Sequence, residues 1–197
     1  MSKEKFQIAA RGHVHIADKV TGEVLLDKDN AIHNRNMAIA IARGLANDLP
    51  GNATRNHHVY KLKLGNGGTS LDSLNVLVYQ PPNVEAMAAT LYNETYNEIV
   101  DDGDVAVPAA NAVTYQESPY PDITSLVIVT ATLAAGEPDG QPLTDSEETD
   151  PESNFAFDEL GLFTSDDLML SHIIFSPILK TANRELVITY TLTISVS

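Results

Sequence analysis

The sequence predicts a mainly β fold, an antiparallel β-sandwich or jelly-roll-like domain with one α-helix in its N-terminal half. Several short segments alternate apolar and polar residues, which is the two-residue period of a strand with one buried face. These segments are rich in Val, Ile, Leu and Thr, whereas Trp is absent from the chain. One segment has the four-residue spacing of a helix. Because 197 residues suffice for one core, we expect a single domain over residues 1–197.

The first element is predicted to be an antiparallel hairpin over residues 6–27. Apolar residues alternate along residues 6–16, and residues 18–22 have the composition of a turn. Residues 23–26 are expected to form the returning strand.

The predicted helix follows this hairpin. It has an apolar stripe at four-residue intervals, formed by Met37, Ile41 and Leu45. Either Asn34 or Asn36 is expected to cap its N-terminus, since a short polar side chain can accept a backbone N–H there. The Pro-Gly pair at residues 50–51 is expected to close the segment.

Shorter elements are predicted in the middle of the chain. Residues 59–64 alternate again and end in the loop Gly65-Asn66-Gly67-Gly68-Thr69, whose glycines are expected to adopt left-handed backbone angles. A short helix is predicted over residues 84–91. Two weaker strands are predicted over residues 94–100 and 112–116.

The last third of the chain carries the strongest strand signals. Residues 123–133 form a nearly continuous apolar run, which predicts a central strand covered on both sides. Residues 155–163 and 168–175 are expected to pair around a turn, and Pro177 is expected to end the second of these strands. Residues 186–196 have the clearest alternation in the chain, with apolar residues at the even positions and Thr or Ser at positions 189, 191, 193 and 195.

Charge and composition argue against several classes of function. The formal net charge is −15, so the phosphate backbone of a nucleic acid is not an expected partner. No apolar run reaches the roughly 20 residues that span a bilayer, so no membrane partner is expected either. The absence of Cys argues against disulfides and Cys-based zinc sites. Residues 136–153 are acidic and contain no base, which predicts an exposed, mobile loop.

The uneven distribution of charge leaves two arrangements open. Of the 12 Lys and Arg residues, 10 precede Leu64. If the first hairpin, the helix and the strand with Lys61 and Lys63 lie together, the molecule has a basic face and an acidic face that can pair head to tail. In the other arrangement, acids from elsewhere in the chain are interleaved with these bases.

Three segments together carry a resemblance to a known family. They read DKVTGEVLLDKDNAIHNRNMAIAIARGL, YKLKLGNGGTS and FDELGLFTSDDLMLSHIIFSPILKTANRELVITYTLTIS. This order of a hairpin and helix, a Leu-Gly-x-Gly loop and a C-terminal block with E-[IL]-G-L-F and F-x-P-I-x-K resembles a family of tailed-bacteriophage virion proteins. The resemblance covers residues 14–70 and 155–195. It implies a virion component, made in the host cytoplasm, whose partners are other virion proteins and copies of itself.

Two residues of the C-terminal block have distinct expected roles. Gly161 is expected where another backbone or a large side chain comes close. Lys180 is expected either to pair with an acid or to be a solvated turn residue.

No residue pattern predicts a catalytic, cofactor or metal site. The Gly65–Thr69 loop lacks the Lys-Ser/Thr ending of a phosphate loop. His13 and His15 share a strand face, with His57 and His58 as distant candidates, but a solvated polar face is preferred because spacing fixes no third ligand. Acids that could bind calcium through oxygen lack the spacing of a calcium loop; they are Asp101, Asp102, Asp104, Asp145, Glu147, Glu148, Asp150 and Glu152.

The sequence therefore predicts a non-enzymatic structural subunit of a tailed-phage particle, in the tail or baseplate, the neck or a capsid-decorating position. The alternative is a receptor- or glycan-binding module of a phage fibre or tail tip. That alternative rests on tyrosines clustered in the acidic middle segment, namely Tyr92, Tyr96, Tyr115 and Tyr120. If these rings are instead loop anchors or interface contacts, the structural subunit is favoured.

Overall fold

The computed structural model describes residues 7–46, 58–86, 88–100, 111–118, 124–138 and 156–196. Within them the fold is mainly β, with one helix. The elements are β1 (Ile8–Asp18), β2 (Val24–Ile32), α1 (Asn34–Ala46), β3 (Val59–Gly65), β4 (Thr69–Leu71), β5 (Leu77–Tyr79), β6 (Glu94–Ile99), β7 (Ala112–Glu117), β8 (Thr124–Leu133), β9 (Ala156–Thr164), β10 (Met169–Leu179) and β11 (Leu186–Val196).

Nine of these strands form one curled antiparallel sheet in the order β6-β3-β9-β10-β2-β1-β11-β8-β7, and β4 pairs with β5 separately. β2 joins two halves of the large sheet. Its residues 24–30 pair with β1, whereas Ala31 and Ile32 pair with β10. We call β1, β11, β8 and β7 the first half-sheet, and β10, β9, β3 and β6 the second half-sheet. The predicted mainly β, sandwich-like class is confirmed.

The hydrophobic core contains side chains from both half-sheets. The first contributes Val14, Ile16, Val129, Ile188 and Tyr190, and the second contributes Leu62, Leu64, Leu160, Leu162 and Ile173. Burying an aliphatic side chain of this size stabilises a fold by roughly 1.5–3 kcal/mol relative to leaving it exposed. The two half-sheets therefore stabilise each other through one shared core.

The first hairpin and the C-terminal strand follow the predicted alternation. β1 pairs with β11 along its whole length, from Ile8 opposite Val196 to Asp18 opposite Leu186. The predicted returning strand is longer than expected and runs to Ile32, because β2 continues from its pairing with β1 into its pairing with β10.

The helix is present where predicted, but its N-terminal cap is a different residue. The ring of His33 accepts the backbone N–H of Asn36 at Nδ1 (3.3 Å), so neither Asn34 nor Asn36 is the cap. The Asn36 side chain donates instead to the Met169 carbonyl (2.8 Å). Leu45 was expected in the apolar stripe but is 84% exposed, because the last turn of the helix lies beyond the core.

Two strand predictions need correction. β8 is next to the edge strand and buries alternating residues only, so it is neither central nor covered on both sides. β10 continues past Pro177 to Leu179. A register irregularity between Ile174 and Ile178 contains this proline, and a proline is accommodated there because a bulge does not require its missing N–H.

Where residues 84–86 and 88–91 are described, they are irregular rather than helical, so the predicted helix at residues 84–91 is not formed by them. The Ala86 carbonyl accepts both the His33 ring and the Ala89 N–H, and Ala89 and Leu91 pack with Phe163 and Met169. The weaker strands at residues 94–100 and 112–116 are confirmed as β6 and β7.

The predicted acidic loop lies almost entirely outside the described residues, which include only its positions 136–138. Residues 50–51, expected to close the helix, are outside them as well. The described part of the chain contains no helix that is both long and apolar enough to cross a membrane.

Candidate functional site: buried carboxylates beneath an exposed hairpin

Two motifs that are far apart in the sequence are adjacent in the fold. β3, which ends in the Gly-rich loop, pairs with β9, which contains Glu159-Leu160-Gly161-Leu162-Phe163. Leu64 lies opposite Leu160, and Gly65 lies opposite Glu159. The Leu-Gly-x-Gly loop therefore sits directly over two consecutive acids, Asp158 and Glu159.

Glu159 is completely buried, and its carboxylate is surrounded by donors. Its Oε1 accepts the N–H groups of Asn93 (2.7 Å) and Gly67 (3.2 Å), and its Oε2 accepts the N–H of Tyr92 (2.9 Å). His172 Nε2 lies 3.0 Å from the same Oε2. Burial alone raises the pKa of Glu159, but the hydrogen bonds from His172, Asn93 and Tyr92 outweigh it and hold the pKa below its ordinary value.

Asp158 is also completely buried and holds the start of β4. It accepts the N–H groups of Gly68 and Thr69, both at 2.8 Å, and the Thr69 hydroxyl at 2.5 Å. Burial raises the pKa of Asp158 above its ordinary value, the hydrogen bonds oppose this effect, and the negative charge of Glu159 adds to it. We call Asp158, Glu159 and the groups that donate to them the carboxylate cluster.

Two buried histidines, His172 of β10 and His33 between β2 and α1, each accept a backbone N–H at Nδ1. The N–H of Asn83 donates to His172 Nδ1 (2.9 Å), so the ring proton is on Nε2 and points to Glu159. His33 accepts a backbone N–H at Nδ1 in the same way, and its Nε2 donates to the Ala86 carbonyl (2.8 Å). Both rings therefore hold the irregular segment that follows the hairpin.

The glycines of the loop serve close approach rather than left-handed geometry, so that expectation is wrong. Among the described residues, the glycines with positive φ are Gly22 and Gly136. A Cβ on Gly65 would lie 2.2 Å from the Asn93 carbonyl oxygen, and one on Gly68 would lie 2.8 Å from the Ile174 side chain. Side chains at these positions would push the loop away from the second half-sheet.

β4 and β5 form a short hairpin, residues 69–79, that the sequence analysis missed. Asp72 Oδ1 accepts the N–H groups of Leu74 (2.8 Å) and Val76 (2.9 Å), and Asn75 has φ 59°. The signal was available in the Asp72–Asn75 turn composition between two short apolar runs. The hairpin extends from the carboxylate cluster at its base to an exposed tip.

No protein-family model, curated protein or solved structure matches this chain.

His13 and His15 share the outer face of β1, as predicted. Asp27 of β2 lies beside both rings, with its Oδ1 3.0 Å from His13 Nε2 and 3.6 Å from His15 Nδ1. The described residues contain no group of three or more His, Cys, Asp or Glu side chains that could hold a metal ion. His58 lies away from this pair, against Tyr60.

Several other candidates fall outside the described residues. They are His57, Asp101, Asp102, Asp104, Tyr120, Asp145, Glu147, Glu148, Asp150 and Glu152. The calcium alternative therefore stays a sequence-level hypothesis.

The three described tyrosines have separate surroundings. Tyr92 packs against His172 and donates its hydroxyl to the Pro81 carbonyl (2.8 Å). Tyr96 packs on the core residue Phe157. Tyr115 of β7 is 73% exposed. Two of the three are thus anchors of their own segments.

Lys180 matches neither of its two expected roles. It is completely buried, and its Nζ donates to the carbonyls of Ala134 (2.9 Å) and Thr181 (3.2 Å). Burial lowers its pKa, although the charges of Glu137 and Glu185 oppose the shift. It joins the ends of β8 and β10.

Gly161 does behave as predicted, since a Cβ there would lie 2.6 Å from the Phe163 ring.

Five of the described basic residues, Lys19, Arg43, Lys61, Lys63 and Arg184, are paired with acids from other segments, as in the second of the two open arrangements. Lys61 and Lys63 both contact Asp167, and Lys63 also contacts Glu94 (2.9 Å). Further pairs are Lys19–Glu185, Arg43–Asp166, Arg184–Asp18 and Arg184–Glu23. The bases of β3 are therefore engaged within the molecule and do not form a free basic face.

The carboxylate cluster contains the residue types of an acid–base site, namely His, Glu and Asp. Its hydrogen bonds, however, go to the backbone of the protein itself. Both ring nitrogens of His172 are hydrogen-bonded, and both Glu159 oxygens accept backbone N–H groups. General acid–base catalysis needs a proton or lone pair within hydrogen-bond reach of a substrate, and these atoms are buried. The cluster fixes the Gly-rich loop, the 69–79 hairpin and the segment that follows the hairpin onto the second half-sheet.

Proposed function

We propose that this chain is a non-enzymatic structural subunit of a tailed-phage particle that acts through protein–protein contacts. One observation carries the proposal. Two of the three segments that resemble phage virion proteins, residues 60–70 and 157–195, are far apart in the sequence but meet at one internal support, the carboxylate cluster between β3 and β9. Residues shared through such a family would then maintain a scaffold, and the surface would be free to fit particular neighbours.

The buried polar groups support the same proposal. Glu159, Asp158 and Lys180 are each hydrogen-bonded to backbone atoms of distant segments. Buried charged groups that bind the backbone in this way rigidify a domain. A subunit that occupies repeated positions in a particle depends on such rigidity, because its contacts must be the same in every copy.

Labelling of intact particles tests the proposal. Antibodies raised against the purified chain should label phage particles from the source culture at a regular position in electron micrographs. Mass spectrometry of gradient-purified particles should detect the chain in a fixed ratio to the major capsid protein. Absence of the chain from purified particles would reject the proposal.

A glycan array separates the proposal from the receptor-binding alternative. The structural subunit is expected to give no reproducible binding. Reproducible binding that is lost in Tyr115→Ala, and kept in Tyr96→Ala, would favour a glycan-binding module, because Tyr115 is exposed and Tyr96 packs on the core.

A further inference from the structure

The nine-stranded sheet brings its two edge strands together at a single side chain. β6 and β7 are the two ends of the strand order, and among the described residues no backbone hydrogen bond joins them. Asn111, the residue before β7, lies between them. Its Nδ2 donates to the Glu98 carboxylate and to the Ile99 carbonyl of β6 (3.4 Å), and its Oδ1 accepts the Thr132 N–H of β8 (2.8 Å). We call this contact the edge junction.

Glu98 points from β6 into the molecule. It lies opposite Leu62 of β3, and Leu62 is fully buried in the core, so both side chains are on the inner face of the sheet. There the Tyr96 hydroxyl donates to Glu98 Oε2 (2.7 Å), and Asn111 donates to Oε1. An inward-pointing charge is one of the means by which natural proteins keep an edge strand from pairing with other chains.

The charged groups around Glu98 do not neutralise it. Glu137, in the turn after β8, acts on Glu98 through its negative charge. Lys180 interacts with Glu137 as well, but its Nζ is hydrogen-bonded to two backbone carbonyls. Lys61 and Lys63 alternate with the buried residues of β3, so they lie on the opposite face. Glu98 is therefore a partly buried acid that forms no ion pair with a described base.

This environment makes the edge junction sensitive to pH. Burial raises the pKa of Glu98 above its ordinary value, the Tyr96 hydroxyl opposes the shift, and the charge of Glu137 adds to it. A closed junction buries Glu98 and so favours its protonated form, whereas an open junction returns the carboxylate to water. Closure is therefore favoured at low pH, and this contribution is lost as pH rises through the raised pKa.

We propose that Asn111 and Glu98 form a pH-sensitive latch, which holds the edge strands β6 and β7 together and loosens as pH rises. An open latch exposes the unpaired N–H and C=O groups of both edges, through which strands pair with other chains. The latch thus controls the availability of these edges. It is a property of the fold and does not depend on the proposed function.

Spin labels on the two edge strands measure the state of the latch. The chain contains no Cys, so Asn97→Cys on β6 and Thr114→Cys on β7, both at exposed positions, carry the only labels. Pulsed electron paramagnetic resonance gives the distance between the labels at about pH 5.5 and about pH 8.5, both above the ordinary Glu pKa of about 4.3.

Three variants of the labelled chain are compared with the parent. Glu98→Gln keeps an acceptor for Asn111 but has no charge. Asn111→Ala removes the latch. Glu117→Gln is the matched control, because Glu117 is an exposed acid at the other end of β7. All three retain the described histidines, so a pH response that comes from a histidine persists in each of them.

The label distance in the parent should lengthen at the higher pH by about one strand spacing, roughly 5 Å, and Glu117→Gln should respond in the same way. Glu98→Gln should keep the short distance at both pH values, and Asn111→Ala should show the long distance at both. A parent distance that ignores pH, or a Glu98→Gln variant that responds like the parent, would overturn the role of Glu98. The short parent distance in Asn111→Ala would overturn the latch.

Asn111→Asp provides a second test if Asn111→Ala fails to fold. It keeps an acceptor for the Thr132 N–H of β8, but it replaces the donor to Glu98 with another carboxylate. The labels should therefore separate at the higher pH while circular dichroism shows the parent strand content. A short distance in Asn111→Asp at that pH would reject the proposal.

Discussion

The two half-sheets bury their strands in different ways. In β11 of the first half-sheet, burial alternates from Leu186 to Leu192, so one face meets the core and the other is partly exposed. In β9 of the second half-sheet, every residue from Ala156 to Thr164 is buried. β9 and the first part of β10 are covered on their outer face as well, by the Gly-rich loop and the segment that follows the hairpin.

This difference determines in which strands the polar side chains need hydrogen-bond partners within the protein. A strand with one solvent-facing side can keep its polar side chains in contact with water. β1 does so with its His side chains, and β11 does so with its Thr side chains. A strand covered on both faces cannot, because a buried polar group without a partner costs free energy. Asp158, Glu159 and Ser171 of β9 and β10 accordingly have protein partners. The second half-sheet is thus the half whose fold depends on specific hydrogen bonds.

The largest expected effect comes from removing the carboxylate of that half. Glu159→Ala leaves the N–H groups of Gly67, Tyr92 and Asn93 without their acceptor, and such a break of a buried charged network costs about 3–5 kcal/mol. Denaturant unfolding of the purified variant measures this free energy. The matched control is Glu94→Ala, a partly exposed ion pair with Lys63, which should cost at most about 1 kcal/mol. Equal costs would show that the buried carboxylate of β9 stabilises the fold no more than an ion pair on the edge strand β6.

A slightly smaller effect is expected from the alternating half. Ile188→Ala removes a fully buried side chain of β11 and should lower the free energy of unfolding by about 2–5 kcal/mol. Thr191→Ala, on the other face of the same strand, should change it by about 0.5 kcal/mol or less. Unfolding curves of the two variants and the parent measure both changes in the free energy of unfolding. A Thr191 effect as large as that of Ile188 would mean that both faces of β11 are covered.

A glycine in the first half-sheet sharpens the comparison further. A Cβ on Gly12 would lie 1.9 Å from Asn30 Oδ1 and 2.4 Å from the Tyr190 hydroxyl, so Gly12→Ala should cost about 1–3 kcal/mol through overpacking. Gly44→Ala is the control, because that helical position has nothing within 4 Å and should gain about 0.5–1 kcal/mol. If Gly12→Ala leaves the free energy of unfolding unchanged, Asn30 and Tyr190 can move away from the new methyl group at little cost to their hydrogen bond.

The smallest expected effect is a change in pH dependence. The lowered pKa of Glu159 stabilises the fold above the unfolded-state value of about 4.3, and this contribution is lost as pH falls through the folded-state pKa. Asp158 has the opposite sign, because its raised pKa favours the fold at low pH and the benefit is lost as pH rises through that pKa.

Unfolding curves between about pH 3 and pH 7 test both signs. Glu159→Gln should make the loss of stability on acidification shallower, and Asp158→Asn should make it steeper. The same slope in both variants would contradict the assigned directions.

The sequence predicted β1 and β11 of the first half-sheet better than the carboxylate cluster of the second, for the same physical reason. Residues 186–196 have one buried face, and one buried face produces the alternation that can be read from a sequence. The carboxylate cluster has no such signature, because Glu159 meets Gly67 and Asn93 only after β3 has paired with β9. His33 as the helix cap was equally hidden, since its ring acts where Asn or Asp is the usual choice.

The sequence indicated the separate segments of the candidate site but not that they are in contact. The Gly65–Thr69 loop and the Glu159–Phe163 segment were each recognised as distinctive, but their contact depends on long-range pairing. The 69–79 hairpin was missed because its strands have three residues each, too few to show a period. Conversely, the Lys61 and Lys63 charge pattern suggested a basic face that the pairing with Asp167 removes.

The pairing of β1 with β11 has a consequence for how the protein is made. These two strands are separated by most of the chain, yet Ile8 lies opposite Val196. During synthesis β1 leaves the ribosome before every other described strand and then waits for β11 to emerge. Contacts of such high sequence separation fold slowly, and an unpaired strand edge invites pairing with other chains in the meantime. The exposed His13, His15 and Arg11 side chains on β1 place polar and charged groups on that waiting strand, which lowers its tendency to aggregate while the ribosome completes the chain.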